Sequence, residues 1–146
     1  MELNRRQIEE ILPHRDPFLL IDEVIELIPG EKAVAIKHVR ADEYYFEGHF
    51  PENPVMPGVL QIEALAQAGA VAVLSLPENR GKIAYFAAID KAKFRGMVVP
   101  GDELRLEVVL ENLRSRGGKG KAVAYKEGKL VCECEITFMF SATTQE

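Results

Sequence analysis

The sequence predicts an α+β fold in which a curved antiparallel β-sheet wraps around one long central helix. Two observations carry this. The stretch from Gly58 to Leu76, "GVLQIEALAQAGAVAVLSL", is apolar nearly all round, and such a helix has to be buried on all sides. The segments flanking it alternate apolar and polar residues at the strand period and are separated by short Gly- and Pro-containing turns. A single sheet encloses a helix by curving around it, and two such sheets joined edge to edge also hide their open edges. Dimerisation is therefore compatible with the pattern without being demanded by it.

The elements follow in order. "LNRRQIEEIL" (Leu3 to Leu12) reads as a short amphipathic helix with Asn4 as N-cap. "LPHRDPF" contains two prolines and reads as a loop. "FLLIDEVIELIPG" and "EKAVAIKHVR" read as two strands joined by Pro29-Gly30 into an antiparallel hairpin. Beyond the central helix, "GKIAYFAAID" is β-prone. In "ELRLEVVLENL", Leu104, Leu106, Val108 and Leu110 share one face. Glu103, Arg105, Glu107 and Glu111 share the other, interrupted by Val109. "SRGGKGK" reads as a turn with three glycines, and "EGK" as a tight turn before the last strand, "LVCECEITFMF". The tail "SATTQE" reads as frayed. No internal repeat, linker or low-complexity segment interrupts the chain, so residues 1–146 read as one domain.

Composition narrows the function classes. The chain of 146 residues is 47% apolar and 28% charged with a net charge of −5. An acidic protein is a poor partner for nucleic acid, which calls for a basic surface. No apolar run is long enough for a bilayer, and the N-terminus lacks the apolar core of a signal peptide, so a cytoplasmic location is expected. Cys132 and Cys134 would point to one face of a strand. With no CxxC pair or histidine-rich partner, they read as small core residues of a reduced protein.

The chemistry concentrates in "EGHFPENPVMPGVLQIEALAQ", Glu47 to Gln67. His49 precedes three prolines within seven residues, a loop with little conformational freedom. Glu63 has Val59, Leu60, Ala66 and Gln67 as its helical neighbours, so its ionised form is costly unless a partner compensates. Two readings are open for it: a wet stripe shared with Gln61 and Gln67, or a carboxylic acid held neutral. Pro57-Gly58 at the helix start leaves backbone N–H groups free at the positive dipole end, and glycine lets a ligand approach closely. Together these residues supply a histidine that titrates near neutrality, an acid and an oxyanion-type donor. That set suits proton removal next to a carbonyl with loss of a β-hydroxyl. His14 and His38 read as structural histidines, one in a Pro-bounded loop and one on a strand among charged residues.

"GHFPENPVMPGVLQIEALAQ" closely resembles the active-site motif of the bacterial FabZ-type β-hydroxyacyl-(acyl carrier protein) dehydratases. "LPHRDPFLLID" and "FAAIDKAKFRGMVVPGDEL" are similar to further signatures of that family, so the resemblance runs from Leu12 to Phe140. It implies a hotdog fold and dimers, often trimers of dimers, with active sites at the dimer interface. It implies that His49 is the base at C2 of a (3R)-hydroxyacyl thioester. Glu63 of the other subunit would protonate the leaving 3-hydroxyl, and the Gly58 N–H would polarise the thioester carbonyl. The product would be a trans-2-enoyl thioester, made without metal or organic cofactor. Glutamate at position 63 resembles the simple dehydratases, whereas the related dehydratase-isomerases carry aspartate there. Tyr85 and Phe86 fall where the family places a residue gating the acyl tunnel. The substrate would arrive on the phosphopantetheine arm of an acidic acyl carrier protein, for which Lys91, Lys93 and Arg95, at alternate positions of one strand face, would offer a docking patch. A hotdog thioesterase and a non-catalytic acyl-binding hotdog protein are the competing readings. The first uses a carboxylate to direct water at the carbonyl; the second has no need of both His49 and Glu63.

Overall fold

A computed structural model describes residues 2–141; the tail read as frayed lies, from residue 142 on, outside them. Six strands form one antiparallel sheet around a single long helix. The elements are α1 (Arg5–Ile11), β1 (Glu23–Ile28), β2 (Lys32–His38), α2 (Gly58–Leu74), β3 (Ala84–Phe94), β4 (Glu103–Arg114), β5 (Gly117–Lys126) and β6 (Lys129–Phe140). The strand order is β1-β2-β4-β5-β6-β3. The helix α2 packs on β1, β2, β4, β5 and β6, which is the enclosure its all-round apolar sequence requires. Its core-facing residues include Ile62, Leu65, Ala68, Val71 and Ala72, met by Leu104, Leu106 and Val108 from the alternating face of β4.

Local chemistry sets the element ends. Asn4 caps α1 in a reciprocal box: its side chain accepts from the Gln7 N–H at 2.9 Å, and the Gln7 side chain accepts from the Asn4 N–H at 2.8 Å. The central helix ends at Leu74, two residues earlier than the sequence suggests, because Leu76 precedes Pro77 and is extended. Glu127 and Gly128 both have positive φ and close the tight β5–β6 turn.

Two strand readings need correction. The apolar run Phe18–Asp22 is buried over Leu19–Ile21 but lies before β1, which begins only at Glu23. Only the Asp22 N–H reaches β2, at the Ile36 carbonyl, and side chains satisfy several of the remaining backbone groups. Gln67 accepts from the Leu20 N–H and donates to the Phe18 carbonyl, and Arg5 donates to the Leu19 carbonyl. The glycines of "SRGGKGK" are not turn residues: Gly117, Gly118 and Gly120 lie in β5, and only Ser115 and Arg116 turn. They are small because neighbours come close. A Cβ on Gly117 would lie 2.1 Å from the Phe138 carbonyl oxygen, and one on Gly120 would lie 3.2 Å from a Val108 methyl.

The two sheet edges are treated differently. The β1 edge is covered by a bridge in which the Leu3 and Val24 backbones exchange hydrogen bonds. The outer edge of β3 has no strand partner among the described residues, and the strand is exposed along nearly its whole length. Tyr85, Phe86, Ile89 and Phe94 are all exposed on it, an arrangement that invites strand pairing with another chain.

Behind the His49 loop lies a buried ion pair. Lys37 of β2, 3% exposed, binds Glu43, whose second oxygen accepts from the Arg40 N–H. Glu43 precedes the 3-10 turn Tyr44–Glu47, and the Tyr45 carbonyl at that turn accepts from the His49 N–H. Removing one charge strands the other in the interior. Lys37→Met is expected to destabilise the fold by about 3–5 kcal/mol, read from urea midpoints. Lys37→Met combined with Glu43→Leu is expected to recover most of that loss; no recovery would show that the pair does not act as a unit.

Candidate active site

The structure places Glu63 on the one face of α2 that is not fully covered. Val59, Glu63, Ala66 and Ala70 follow one another along that face at helical spacing, while the residues between them are mostly buried. Beyond it opens an apolar cavity of about 330 Å³ between α2 and strands β3, β4, β5 and β6. Gly69 and Gly120 line it, both pressed against Val108, whose methyl a Cβ would meet at 3.1 and 3.2 Å. Tyr85 and Phe86 also line it, so these two residues of β3 share the cavity with Glu63.

Glu63 is held by Gln67, one helical turn on. The Gln67 amide donates to the Glu63 Oε2 at 2.8 Å. Gln67 is itself buried and fixed at both ends of its amide by the Phe18 carbonyl and the Leu20 N–H, each at 2.8 Å. The polar seam of Glu63 and Gln67 is therefore real, and it is neither fully wet nor unpaired. Burial pushes the Glu63 carboxyl above its ordinary value near 4.5, with the Gln67 hydrogen bond opposing that rise. Glu63 thus has a polar neighbour, and burial shifts its carboxyl toward the neutral form.

His49 is positioned by its own loop. Its Nδ1 lies 2.7 Å from the Val55 carbonyl oxygen. A carbonyl can only accept, so Nδ1 carries the proton and Nε2 presents a lone pair, the tautomer a base needs. The ring stacks on Phe50 with centroids 4.2 Å apart. The Val55 N–H returns to the His49 carbonyl, and the Met56 N–H reaches the Val98 carbonyl, which pins the proline-rich loop to the body of the protein. Gly58 opens α2 after Pro57, whose carbonyl accepts from Leu60 and Gln61. The Phe94 ring lies against Gly58, where a Cβ would come within 2.7 Å of it.

Within one chain these residues do not all meet. The cavity around Glu63 is lined by neither His49 nor Gly58. The nearest imidazole to Glu63 is instead His14, with Nε2 3.6 Å from Oε2. Sequence alone gives His14 a structural reading; its signal is the paired prolines of "LPHRDPF", which stiffen the loop that delivers it. The basic residues Lys91, Lys93 and Arg95 differ from expectation. A bulge between Asp90 and Lys93, with Lys91 at positive φ, breaks their alternation. Lys91 and Arg95 also pair with Glu135 and Glu133 of the neighbouring strand, at 3.4 and 3.1 Å. Cys132 and Cys134 are buried free thiols pushed up to about 12 and about 11 by burial, consistent with core residues.

Among the described residues no helix is long and apolar enough to cross a membrane. Residues 12–135 match the family model of the FabA-like domain. The chain is 62% identical over 137 residues to the 3-hydroxyacyl-(acyl-carrier-protein) dehydratase FabZ of Ligilactobacillus salivarius, covering 94% of this chain and 98% of the relative. It is 59% identical over 138 residues to the protein of that name from Clostridium novyi, covering 94% and 97%. Among solved structures, the dehydratase heterocomplex ApeI:P of Xenorhabdus doucetiae superimposes with a TM-score of 0.78 at 17% identity, over 93% of this chain and 91% of that one. The architecture is the hotdog fold.

The raised Glu63 carboxyl has a consequence for stability. A group with a raised folded-state value contributes stability below its unfolded value and loses it as pH rises through the folded one. In the Glu63→Gln variant the new amide would accept the same Gln67 hydrogen bond without titrating. The melting temperature of Glu63→Gln minus that of the wild type is therefore expected to grow in favour of the variant from about pH 4 to about pH 8, by calorimetry. A flat difference would contradict a burial cost on the carboxylate.

Proposed function

The chain belongs to the FabA-like family, and we propose that it performs its reaction with His49 as base and Glu63 of a second copy as acid. It is a 3-hydroxyacyl-(acyl-carrier-protein) dehydratase, a lyase of fatty acid biosynthesis. Its substrate is carried by acyl carrier protein.

The observation that carries the residue assignment is the separation of the two groups within one chain. Glu63 and the acyl-sized apolar cavity face the β3 side of α2, while His49 and Gly58 stand outside that cavity. The exposed β3 edge supplies the means of uniting them. Pairing of β3 with β3 of a second copy continues the sheet and covers Tyr85, Phe86, Ile89 and Phe94. It also brings the His49 loop of one copy to the cavity mouth of the other. The homodimer is the working unit, and its assembly into a trimer of dimers follows the family resemblance. The protein works as a single hotdog domain in the cytoplasm.

In that setting the step is an elimination. The Nε2 lone pair of His49 takes the C2 proton of a (3R)-hydroxyacyl thioester. The C2–C3 double bond forms in the trans configuration as the C3–O bond breaks. Glu63 gives its proton to the departing hydroxyl, which leaves as water. The free N–H at Gly58 stabilises negative charge developing on the thioester oxygen, with the α2 dipole behind it. Burial shifts the Glu63 carboxyl toward the neutral form that an acid needs. The acyl chain lies in the cavity beside Tyr85 and Phe86. Docking of the carrier protein falls to Lys93 together with Lys91 and Arg95, which exchange their intramolecular partners for its acidic groups.

Dehydration followed as enoyl absorbance on a 3-hydroxyacyl carrier-protein substrate tests this. His49→Ala and Glu63→Gln are each expected to lose about 10²–10⁴-fold in kcat while remaining folded. Mixing the two inactive variants under subunit exchange is expected to restore about one quarter of wild-type activity, because half the dimers then hold one complete site. A mixture as inactive as its components would place both groups on one chain. Release of free acid without enoyl product would make the protein a thioesterase.

A further inference from the structure

We infer that His14, in the Pro13–Pro17 loop before β1, is a positioning residue that holds the Glu63 carboxylate once it has given up its proton. This rests on the dehydration reading for its chemistry and adds to it a residue that the His49–Glu63 pair does not include. His14 lines the cavity beside Glu63, and its Nε2 lies 3.6 Å from Oε2, the oxygen that also accepts from Gln67.

The tautomer follows from burial. The His14 Nδ1 is buried with no hydrogen-bond partner among the described residues. A buried N–H without an acceptor is rarer and costlier than an unpaired acceptor. The proton therefore sits on Nε2 and faces Glu63. Burial, and then the charge of Arg15, lower the tendency of the ring to ionise. Both effects disfavour a charged ring that would compete with Glu63 for its proton. At 3.6 Å it makes no full hydrogen bond to the acid. The contact strengthens only as negative charge develops on Oε2, so it favours the transition state over the ground state.

The loop is built to keep that donor in place. Arg5 of α1 grips Asp16 at 2.7 Å and the Leu19 carbonyl at 2.8 Å. Arg15 turns its guanidinium to the Leu12 and His14 carbonyls, at 2.8 and 2.7 Å, rather than to Glu63. The groups facing Glu63 are then His14 and Gln67, with Tyr85 of β3 on the same cavity; those facing His14 are Glu63 and Arg15.

The test compares wild type, His14→Leu and His14→Gln, whose amide keeps a donor at the Nε2 position. Two readouts are used: kcat and KM across pH, and the ¹³C-carboxyl NMR titration of Glu63. Removing a donor to the carboxylate raises the pH at which Glu63 ionises. For His14→Leu the basic limb of the rate profile and the Glu63 titration are thus expected to move to higher pH. Its kcat is expected to fall about 10–100-fold with KM little changed. His14→Gln is expected to keep the wild-type limb and most of kcat. Should His14→Leu fail to fold, His14→Asn, too short to reach Oε2, has to show the same loss. A folded variant without the donor that keeps both the wild-type kcat and the wild-type Glu63 titration would overturn the inference, as would a His14→Gln as impaired as His14→Leu. If the wild type does not dehydrate the substrate, the reaction reading falls by itself. The NMR titration still decides the role of His14, because an unmoved Glu63 in His14→Leu overturns it.

Discussion

The hydrogen bonds of Gln67 join the parts of the protein that its chemistry needs together. One buried amide on α2 satisfies the backbone of the 18–20 segment and holds the carboxyl of Glu63. Through that segment it also fixes where the His14 loop sits. The segment is buried yet not in a strand, so its backbone depends on such side-chain partners. A leucine at position 67 would pack, but it would leave a buried N–H and a buried carbonyl unpaired and release the acid from its one strong donor.

Around that tie, the fold solves a packing problem in an unusual direction. A helix apolar on all sides would normally be closed over completely. Here small residues keep one side open. Gly69 on α2 and Gly120 on β5 both face Val108, and Ala66 and Ala70 continue the same surface. Beside them lies an apolar cavity with a carboxyl at one end, where burial pushes the acid toward its neutral form and the apolar lining suits an acyl chain. Stability forgone by leaving that volume unfilled is the condition for binding there.

The open edge of β3 belongs to the same logic. Elsewhere the molecule protects its edge, with Leu3 bridging to Val24 beside β1. At β3 it exposes a long strand bearing aromatic residues, two of which line the cavity. An edge of that kind is a liability in a lone chain and an asset in a dimer. The proposed division of the catalytic pair between two copies would follow from a cavity that opens beside an edge free to pair.

Much of this was legible in the amino-acid sequence. The apolar helix, the half-buried β4 pattern, the Asn4 cap, the Pro29-Gly30 and Glu127-Gly128 turns and the stiff His49 loop are short-range features. Each depends on side-chain periodicity or on backbone preferences of a few adjacent residues. The long motif around His49 and Glu63 pointed to the reaction class for the same reason: its residues are contiguous. Tertiary structure alone decided the rest. The glycines of β5 looked like a turn because sequence cannot show that Phe138 and Val108 approach them. Lys91, Lys93 and Arg95 looked like one charged face because a bulge is a property of two paired strands. The closeness of His14 to Glu63, forty-nine positions along the chain, was hidden because it exists only once Arg5 and Gln67 have folded the intervening loop against α2.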